Sequence, residues 1–358
     1  MKVCLAHNTY FSVSLGEAMS SKESRRKFLK NSATLGASSA LAGMGISSAS
    51  AQGAPIQIIM TGYSPETTSF SQGLKRIGDR IEAKFPGEVE VRYVYNILDL
   101  GYKALDILWL VEKGIVTMGF QSSSYLTDRV TELGAVDLPF IFSDNQEARD
   151  AMDGELGGLL TNAIEANTDY RILGYFENGE RHFSNNIRPI RTPADFQGMS
   201  LRTLPSKIHE RTFELLGASP EIMDLTDAIK RIVAGTIDAQ ENPFFNTVTY
   251  GVHNFHRYHT YTSHFYISRP IFFHGPTFDS WPAELQQEMR LAVRDAVEFQ
   301  RNLKTQEELD AQDAIRAAGG EIAVLTDEER QQFIDAVTPI YDELRDQYSQ
   351  RLQQLVGI

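Results

Sequence analysis

Cysteine is almost absent from this chain: among 358 residues only Cys4 carries a thiol. A lone thiol forms no intrachain disulfide, offers no CxxC redox pair and supplies no cysteine-rich metal site. A basic surplus is missing as well. The formal net charge is −13 and the body holds no Lys/Arg run, which excludes nucleic acid as a partner, because phosphate binding draws on clustered cations. The patterns GxGxxG, GxSxG, HExxH and the P-loop do not occur, so neither a nucleotide cradle nor an activated nucleophile can be named. No catalytic residue, metal or cofactor is therefore expected. No Gly/Ser-rich linker or low-complexity segment interrupts the body either. Stability must come from packing, for which a 42% hydrophobic content is ample, and the length favours two lobes over one.

What is present begins with an address. Ser24 to Lys30 reads SRRKFLK, a twin-arginine motif, and a mildly apolar Gly/Ala/Ser-rich stretch follows it up to Ala49-Ser50-Ala51. Residues 1–51 are expected to be a twin-arginine (Tat) export signal cleaved near Gln52. Met19 stands nearer the usual start of such signals than Met1 does. A spanning helix needs roughly 20 strongly apolar residues, and Ser and Gly dilute this stretch, so no stable membrane insertion is expected. Cys4 leaves with the signal. The periplasmic body is more acidic than the whole, since residues 1–51 hold six Lys/Arg against two Asp/Glu.

The body then alternates two periods. Ile56 to Met60 is a β-branched run ending in the turn residues Gly62 and Pro65, a buried strand. Phe70, Leu74, Ile77 and Ile81 share one face of a helix whose charged residues lie largely opposite. EVEVRYVYN repeats the strand pattern, LDILWLVEKGIV the helix pattern, and VTMGFQSSSYL a strand running into a small polar loop. This order predicts an α/β architecture around a central sheet. Later, GMSLRTL is a short strand, and SKIHERTFELLG is a helix with Ser206 as N-cap and Gly217 beyond its end. One helical pattern extends from about Pro282 to Ala318, stopped by Gly319-Gly320. It holds no sustained heptad, so it reads as a helix spanning two lobes.

Two polar strand ends stand out. In DLTDAIKRIVAGTIDAQENP a helix face closes at Gly235, and a short strand around Ile237 and Ala239 leaves Glu241 and Asn242 at its carboxyl end, where open α/β sheets place ligand sites. A plain polar loop capped by Pro243 is the other reading. If Ser200 to Leu204 is a strand, Met199, Leu201 and Thr203 take one face and Arg202 the other, close to the strand's end. A guanidinium there suits a carboxylate, to which its planar fork donates two parallel charge-assisted bonds. Judged alone, Arg202 reads equally as a surface or salt-bridged arginine.

The segment GERHFSNNIRPIRTPADFQGMSLRTLPSKIHERTFELLGASPEIMDLTDAIKRIVAGTIDAQENP resembles the central signature of the DctP-type solute-binding proteins of TRAP (tripartite ATP-independent periplasmic) transporters. The likeness runs from about Ile56 to about Asn302. It implies a type II-like periplasmic binding protein, a two-lobed α/β clamshell with a long lobe-spanning helix. It also implies capture of a small organic acid and delivery to TRAP membrane permease subunits. The resemblance divides the chain into lobe I at 52–179 with a return segment 267–304, and lobe II at 180–266 with C-terminal helices 305–358. Arg202 becomes the principal carboxylate clamp, Arg181 a second arginine at the ligand, and Asn242 a ligand donor or a residue that orients the clamp. Ala239, Leu225 and Ile229 depart from the family's usual Gly, aromatic and Tyr. Those departures leave the anion clamp intact and the ligand's identity open. Tyr63, Gln121, Ser122, Ser123, Phe244, Phe245 and Leu225 are the candidates for the remaining pocket walls, with Gln121 and Tyr63 foremost.

Two rivals are carried forward. His253, His256, His259 and His264 invite a metal reading, but the interleaved aromatics suggest strand alternation that divides them between two faces. In the family picture this segment crosses between lobes, and His264 becomes a hinge residue. Because Tat export often serves cofactor-loaded oxidoreductases, the functional alternative is a Tat-exported periplasmic enzyme acting on a small acid.

Overall fold

The computed structural model describes residues 54–358; the twin-arginine segment and Cys4 lie outside them. Strands β1 (Ile56–Thr61), β2 (Val89–Val94) and β3 (Met118–Phe120) are followed by β4 (Tyr170–Asn185), β5 (Ser200–Thr203) and β6 (Ser219–Ile222). Then come β7 (Ala239–Asn242), β8 (Tyr258–His274) and β9 (Glu321–Val324). All nine form one sheet in the order β2-β1-β3-β8-β4-β7-β5-β6, with β9 on the other part of β8. β1 runs parallel to β2 and β3, and β5 parallel to β6 and β7. Between these two parallel groups lie β8 and β4, antiparallel to each other along nearly their whole length.

The two long strands hold the two groups together. The beginning of β4 pairs with the end of β8 beside β3, while Phe183–Asn185 of β4 pair with Tyr258–Thr260 beside β7. The β4–β8 register shifts between Glu177 and Gly179 and again between Arg181 and Phe183. Gly179 sits at φ +86, a conformation that glycine alone adopts without steric cost, and across the ladder Ser263 stands at φ +46. Tyr170, Phe176 and Phe272 belong to a large core with Phe70, Leu74 and Phe120, whereas Phe183, Phe265 and Ile267 belong to a second core with Phe196, Leu201 and Phe213.

The expected long helix is observed as Ala283–Ala317, within a residue of the pattern's limits. Its apolar positions Leu285, Met289, Val293 and Val297 pack into the first core. Further along, adjacent glutamates tie down the N-termini of two helices far apart in the chain. Glu307 accepts from Ser69 N at 2.7 Å, at the start of helix Ser69–Lys84, and Glu308 accepts from Phe244 N at 3.0 Å, at the start of helix Phe244–Thr249. Carboxylates at helix N-termini satisfy free N–H groups and suit the dipole. Phe333 and Val337 of the C-terminal segment pack into the second core, while Tyr348, Leu352 and Val356 join the first.

Local expectations hold with one shift. Ser206 caps helix Lys207–Leu215 and β5 falls where GMSLRTL placed it; Asp224, which the sequence reading did not single out, caps helix Leu225–Val233. The strand expected around Ile237 and Ala239 begins later, at Ala239, so Glu241 and Asn242 lie inside it. The reason is pairing, since antiparallel β4 extends alongside β7 from Asn185 to His182 and carries the ladder to Asn242.

Candidate functional site

The parallel strands of both groups point their carboxyl ends at one place. Tyr63 follows β1, Ser122 follows β3, Arg202 and Leu204 stand at the end of β5, and Asn242 ends β7. With Arg181 from β4, Arg269 from β8, and Tyr125, Leu225 and Tyr250 from the flanking segments, these residues line one cavity. Crevices at the carboxyl ends of strands are where open α/β sheets hold ligands. The free space among them is small, about 20 Å³, room for roughly one water.

Arg181 carries its own counterion. It is 1% exposed, and its Nε and Nη2 donate to the Glu241 carboxylate, with a further bond from Nη2 to the Glu241 carbonyl at 2.7 Å. Burial pushes the Glu241 carboxyl up, yet the Arg181 charge and its hydrogen bonds, with His264 close by, outweigh burial and hold it at about 2. Behind this pair lies a buried polar cluster. His264 Nε2 is 3.7 Å from Glu241, and His209 Nε2 is 3.6 Å from Asp137. Burial dominates there, raising Asp137 to about 7 and lowering His209 to about 3. Both are then neutral in mildly acidic solution, and no ion pair forms between them.

Arg202 differs. It is 2% exposed, donates from Nε to the Met223 carbonyl at 3.1 Å and from Nη2 to the Tyr125 hydroxyl at 3.3 Å, and forms no ion pair among the described residues. Tyr125 oxygen also accepts from Leu225 N at 3.2 Å. Burial raises the Tyr125 pKa, so the hydroxyl keeps its proton; having accepted two bonds, it is left with that proton to donate. Asp224, the nearby carboxylate, caps its own helix through Thr226 N and accepts from Leu105 N at 3.0 Å.

Six of the ten residues singled out from sequence meet at this cavity: Tyr63, Ser122, Arg181, Arg202, Leu225 and Asn242. Gln121, Ser123, Phe244 and Phe245 do not line it. The Gln121 amide turns back into the protein, donating to the Ala104 carbonyl at 2.6 Å and accepting from Ser122 N at 2.9 Å. Phe244 packs its ring 4.5 Å from His182 in a neighbouring aromatic layer. Asn242 is held by its amide neighbours, donating to Gln240 and accepting from Asn246 at 3.2 Å. Sequence reasoning missed Tyr125, Leu204, Tyr250 and Arg269. A signal for the last existed: one charged residue inside the apolar strand FYISRPIFF, where a buried arginine needs a reason.

The histidine segment is divided by the fold. His256 shares a hydrogen bond with Ser184, His259 with the His256 carbonyl, and His264 with Thr262. Among the described residues no group of three His, Cys, Asp or Glu is arranged to hold a metal, and no helix is long and apolar enough to cross a membrane.

Comparison with known proteins gives a consistent picture. Residues 60–347 match the family model DctP, bacterial extracellular solute-binding protein, family 7. The chain is 27% identical over 294 residues, 82% of its length and 88% of the relative's, to the 2,3-diketo-L-gulonate-binding periplasmic protein YiaO of Escherichia coli. It is 27% identical over 292 residues, 81% and 86% of the two chains, to the C4-dicarboxylate-binding periplasmic protein DctP of Rhodobacter capsulatus. Among solved structures it is similar in fold to a TRAP periplasmic solute-binding protein from Sulfitobacter sp. NAS-14.1 with bound β-D-galacturonate. That likeness has a TM-score of 0.78 and 24% identity, covering 84% of this chain and 98% of the other.

Proposed function

Because the chain belongs to the DctP family, family 7 of the bacterial extracellular solute-binding proteins, we propose that its cavity takes the carboxylate of a small organic acid onto Arg202. The family's members are periplasmic binding proteins of transporters, not enzymes, and the enzyme alternative is set aside on that ground. One observation carries the site assignment. A guanidinium 2% exposed, without an ion pair among the described residues, is a buried charge that lacks compensation, and such charges cost several kcal/mol unless partnered. An incoming carboxylate supplies the missing partner.

The remaining residues then have roles. Arg202 makes the charge-assisted bonds, and the free proton of Tyr125 is donated to the same carboxylate. Asn242, Ser122 and Tyr63 offer hydrogen-bonding groups from the carboxyl ends of their strands, and Leu225 and Leu204 exclude water. Arg181, paired with Glu241, holds β7 in place beside the cavity. The named ligands of the relatives, a diketo sugar acid, a C4-dicarboxylate and a uronate, share a carboxylate and little else, which suits a clamp built for that group.

A cavity of about 20 Å³ does not admit such a molecule, so binding requires the walls to separate and close again. We assign the movement to two lobes, residues 52–179 with 267–304 and residues 180–266 with the C-terminal helices from 305. The last of those helices, carrying Tyr348, Leu352 and Val356 into the first core, stays with the first lobe. The bend falls where β4 and β8 lose register around Gly179 and Ser263. His264 adjoins that bend. Closure without ligand buries Arg202 uncompensated, which favours the open form until an anion arrives. The closed complex is then presented to TRAP membrane permease subunits, after export by the Tat pathway through residues 1–51.

Thermal unfolding of the exported body across a panel of organic acids tests this reading. A cognate acid raises Tm progressively with its concentration and is recovered chemically unaltered by mass spectrometry. Turnover of the acid, or a panel-wide absence of stabilisation, rejects it.

A further inference from the structure

Resting on the reading of Arg202 as a carboxylate clamp, we propose that Asp224 is a positioning residue that keeps the bound acid in. Its carboxylate latches a turn of the first lobe onto a helix of the second, and so sets how fast the ligand escapes. The turn is Lys103-Ala104-Leu105, which leads into helix Asp106–Glu112, and it sits on the N-terminus of helix Leu225–Val233. Leu105 N donates to Asp224 Oδ2 at 3.0 Å, Ala104 N to Thr226 Oγ1 at 3.3 Å, and Lys103 Nζ to Asp227 Oδ2 at 2.6 Å. Residues 103–105 and 224–227 stand on opposite sides of the assigned division, so all three bonds break when the lobes part.

The three bonds are unequal. The Lys103 and Asp227 side chains are 51% and 40% exposed, and an ion pair so open to water holds little. Asp224 is 8% exposed, and its two oxygens divide the work. Oδ1 accepts from Thr226 N at 2.8 Å and caps its own helix, while Oδ2 faces the other lobe. An ionised oxygen accepting from a backbone N–H is the stronger kind of hydrogen bond. The cap needs only one oxygen, and the second is left for the neighbouring lobe.

Both halves of the latch are joined to the cavity. On the first lobe the Gln121 amide donates to the Ala104 carbonyl at 2.6 Å and accepts from the N–H of Ser122, a wall residue. That pair of bonds accounts for a polar side chain at the cavity's edge that turns away from it. On the second lobe the residues either side of Asp224 hold the clamp. The Met223 carbonyl accepts from Arg202 Nε, and Leu225 N donates to the Tyr125 hydroxyl that Arg202 also reaches. Three consecutive residues thus carry clamp and latch together, so a carboxylate seated on Arg202 and a closed latch require the same placement of 223–225. The charge of Asp224 works against an anionic ligand nearby. Its bond across the cleft supplies the reason for a carboxylate there.

Stopped-flow binding of succinate, D-galacturonate, galactonate and pantoate to the exported body, read by the fluorescence of Trp109 on helix Asp106–Glu112, tests the latch. Asp224→Asn keeps the cap, since Asn caps helices as well as Asp does, but loses the charged acceptor that faces Leu105 N. Release of the tightest of these acids should become about 10-fold faster, the worth of one hydrogen bond to a charged group, while association changes less than about twofold. Leu105→Pro removes the same bond from the other lobe, at a φ of −60 that the proline ring accepts, and serves if the asparagine variant folds poorly. It should speed release equally, and the double variant should be no faster than either single one. Lys103→Met should alter release less than about twofold. Unchanged release in both single variants, or additive effects in the double variant, overturns the proposal. So does a larger effect of Lys103→Met than of Asp224→Asn, or tighter binding by Asp224→Asn, which relief of charge repulsion alone would give. If Arg202→Ala abolishes binding and neither latch variant alters release, the clamp stands and the latch falls, whereas no binding of any of the four acids removes both.

Discussion

Arg181 and Arg202 line the same cavity, are equally buried, and yet sit in opposite electrostatic circumstances. Arg181 is met by Glu241 on the adjacent strand. Arg202 is met by a carbonyl and a phenol, neutral groups that hydrogen-bond a guanidinium without cancelling its charge. A cation furnished with its own counterion is part of the framework. A cation without one is a receptor for whatever anion arrives. Site residues in a buried polar cluster are therefore distinguished less by their type than by whether the chain has already answered them.

The comparison is broken most forcefully at Glu241. Glu241→Gln should destabilise the fold by roughly 3–5 kcal/mol, because Arg181 would remain buried with its partner removed, and urea unfolding at pH 7 measures this. The pH dependence has a definite sign. A carboxyl whose folded pKa is about 2 contributes stability that is present above the ordinary carboxylate range and lost as pH falls toward 2. If Glu241→Gln unfolds no more easily than the unaltered protein, Arg181 is not framework and the contrast fails.

At the other end the effect moves from folding to binding. Arg202→Ala should weaken the cognate acid by roughly 2–5 kcal/mol, while the ligand-free protein holds or gains stability, since an uncompensated buried charge has been deleted. Calorimetry and urea unfolding on the same variant give both numbers. Unchanged affinity rejects Arg202 as the clamp. Arg202→Lys sharpens the picture with a smaller loss, about 1–3 kcal/mol for one charge-assisted bond, because a point charge cannot reproduce two parallel donors. Equal affinity of the Arg and Lys forms would leave the site but remove the bidentate geometry.

How far the sequence exposed this site depended on distance along the chain. The strand carrying Arg202 and the helix before Gly235 are local patterns, and their polar ends were visible in eleven or so consecutive letters. The alternation of strand and helix was equally local, and it places the carboxyl ends that converge on the cavity. The pairing of Arg181 with Glu241 was hidden, because it depends on the register of two strands sixty residues apart. Arg269 and Tyr250 were hidden for the same reason, each reaching the cavity only once β8 or its preceding turn is laid across the sheet. Gln121 illustrates the converse. A polar residue at the end of a strand invites a ligand role, yet a long amide bends back to satisfy the backbone, and no periodicity reveals that choice.

The smallest predicted effect lies behind the Arg181 pair, where Asp137 tests how firmly that end is framework. Burial raises its carboxyl from the ordinary range to about 7. The folded chain then keeps this proton where the unfolded chain releases it, so the contribution is full at low pH and is lost as pH rises through 7. Asp137→Asn cannot titrate and escapes that loss. The stability of Asp137→Asn relative to the unaltered protein should therefore rise between pH 5 and pH 6 by about 1 kcal/mol, the linkage value for one proton over one pH unit. His209 titrates in both proteins and cancels in the difference. Paired urea unfolding curves at the two pH values measure it. A difference that stays flat would mean Asp137 is ionised in the fold, placing a second carboxylate behind Arg181 and making that end more anionic than the contrast with Arg202 allows.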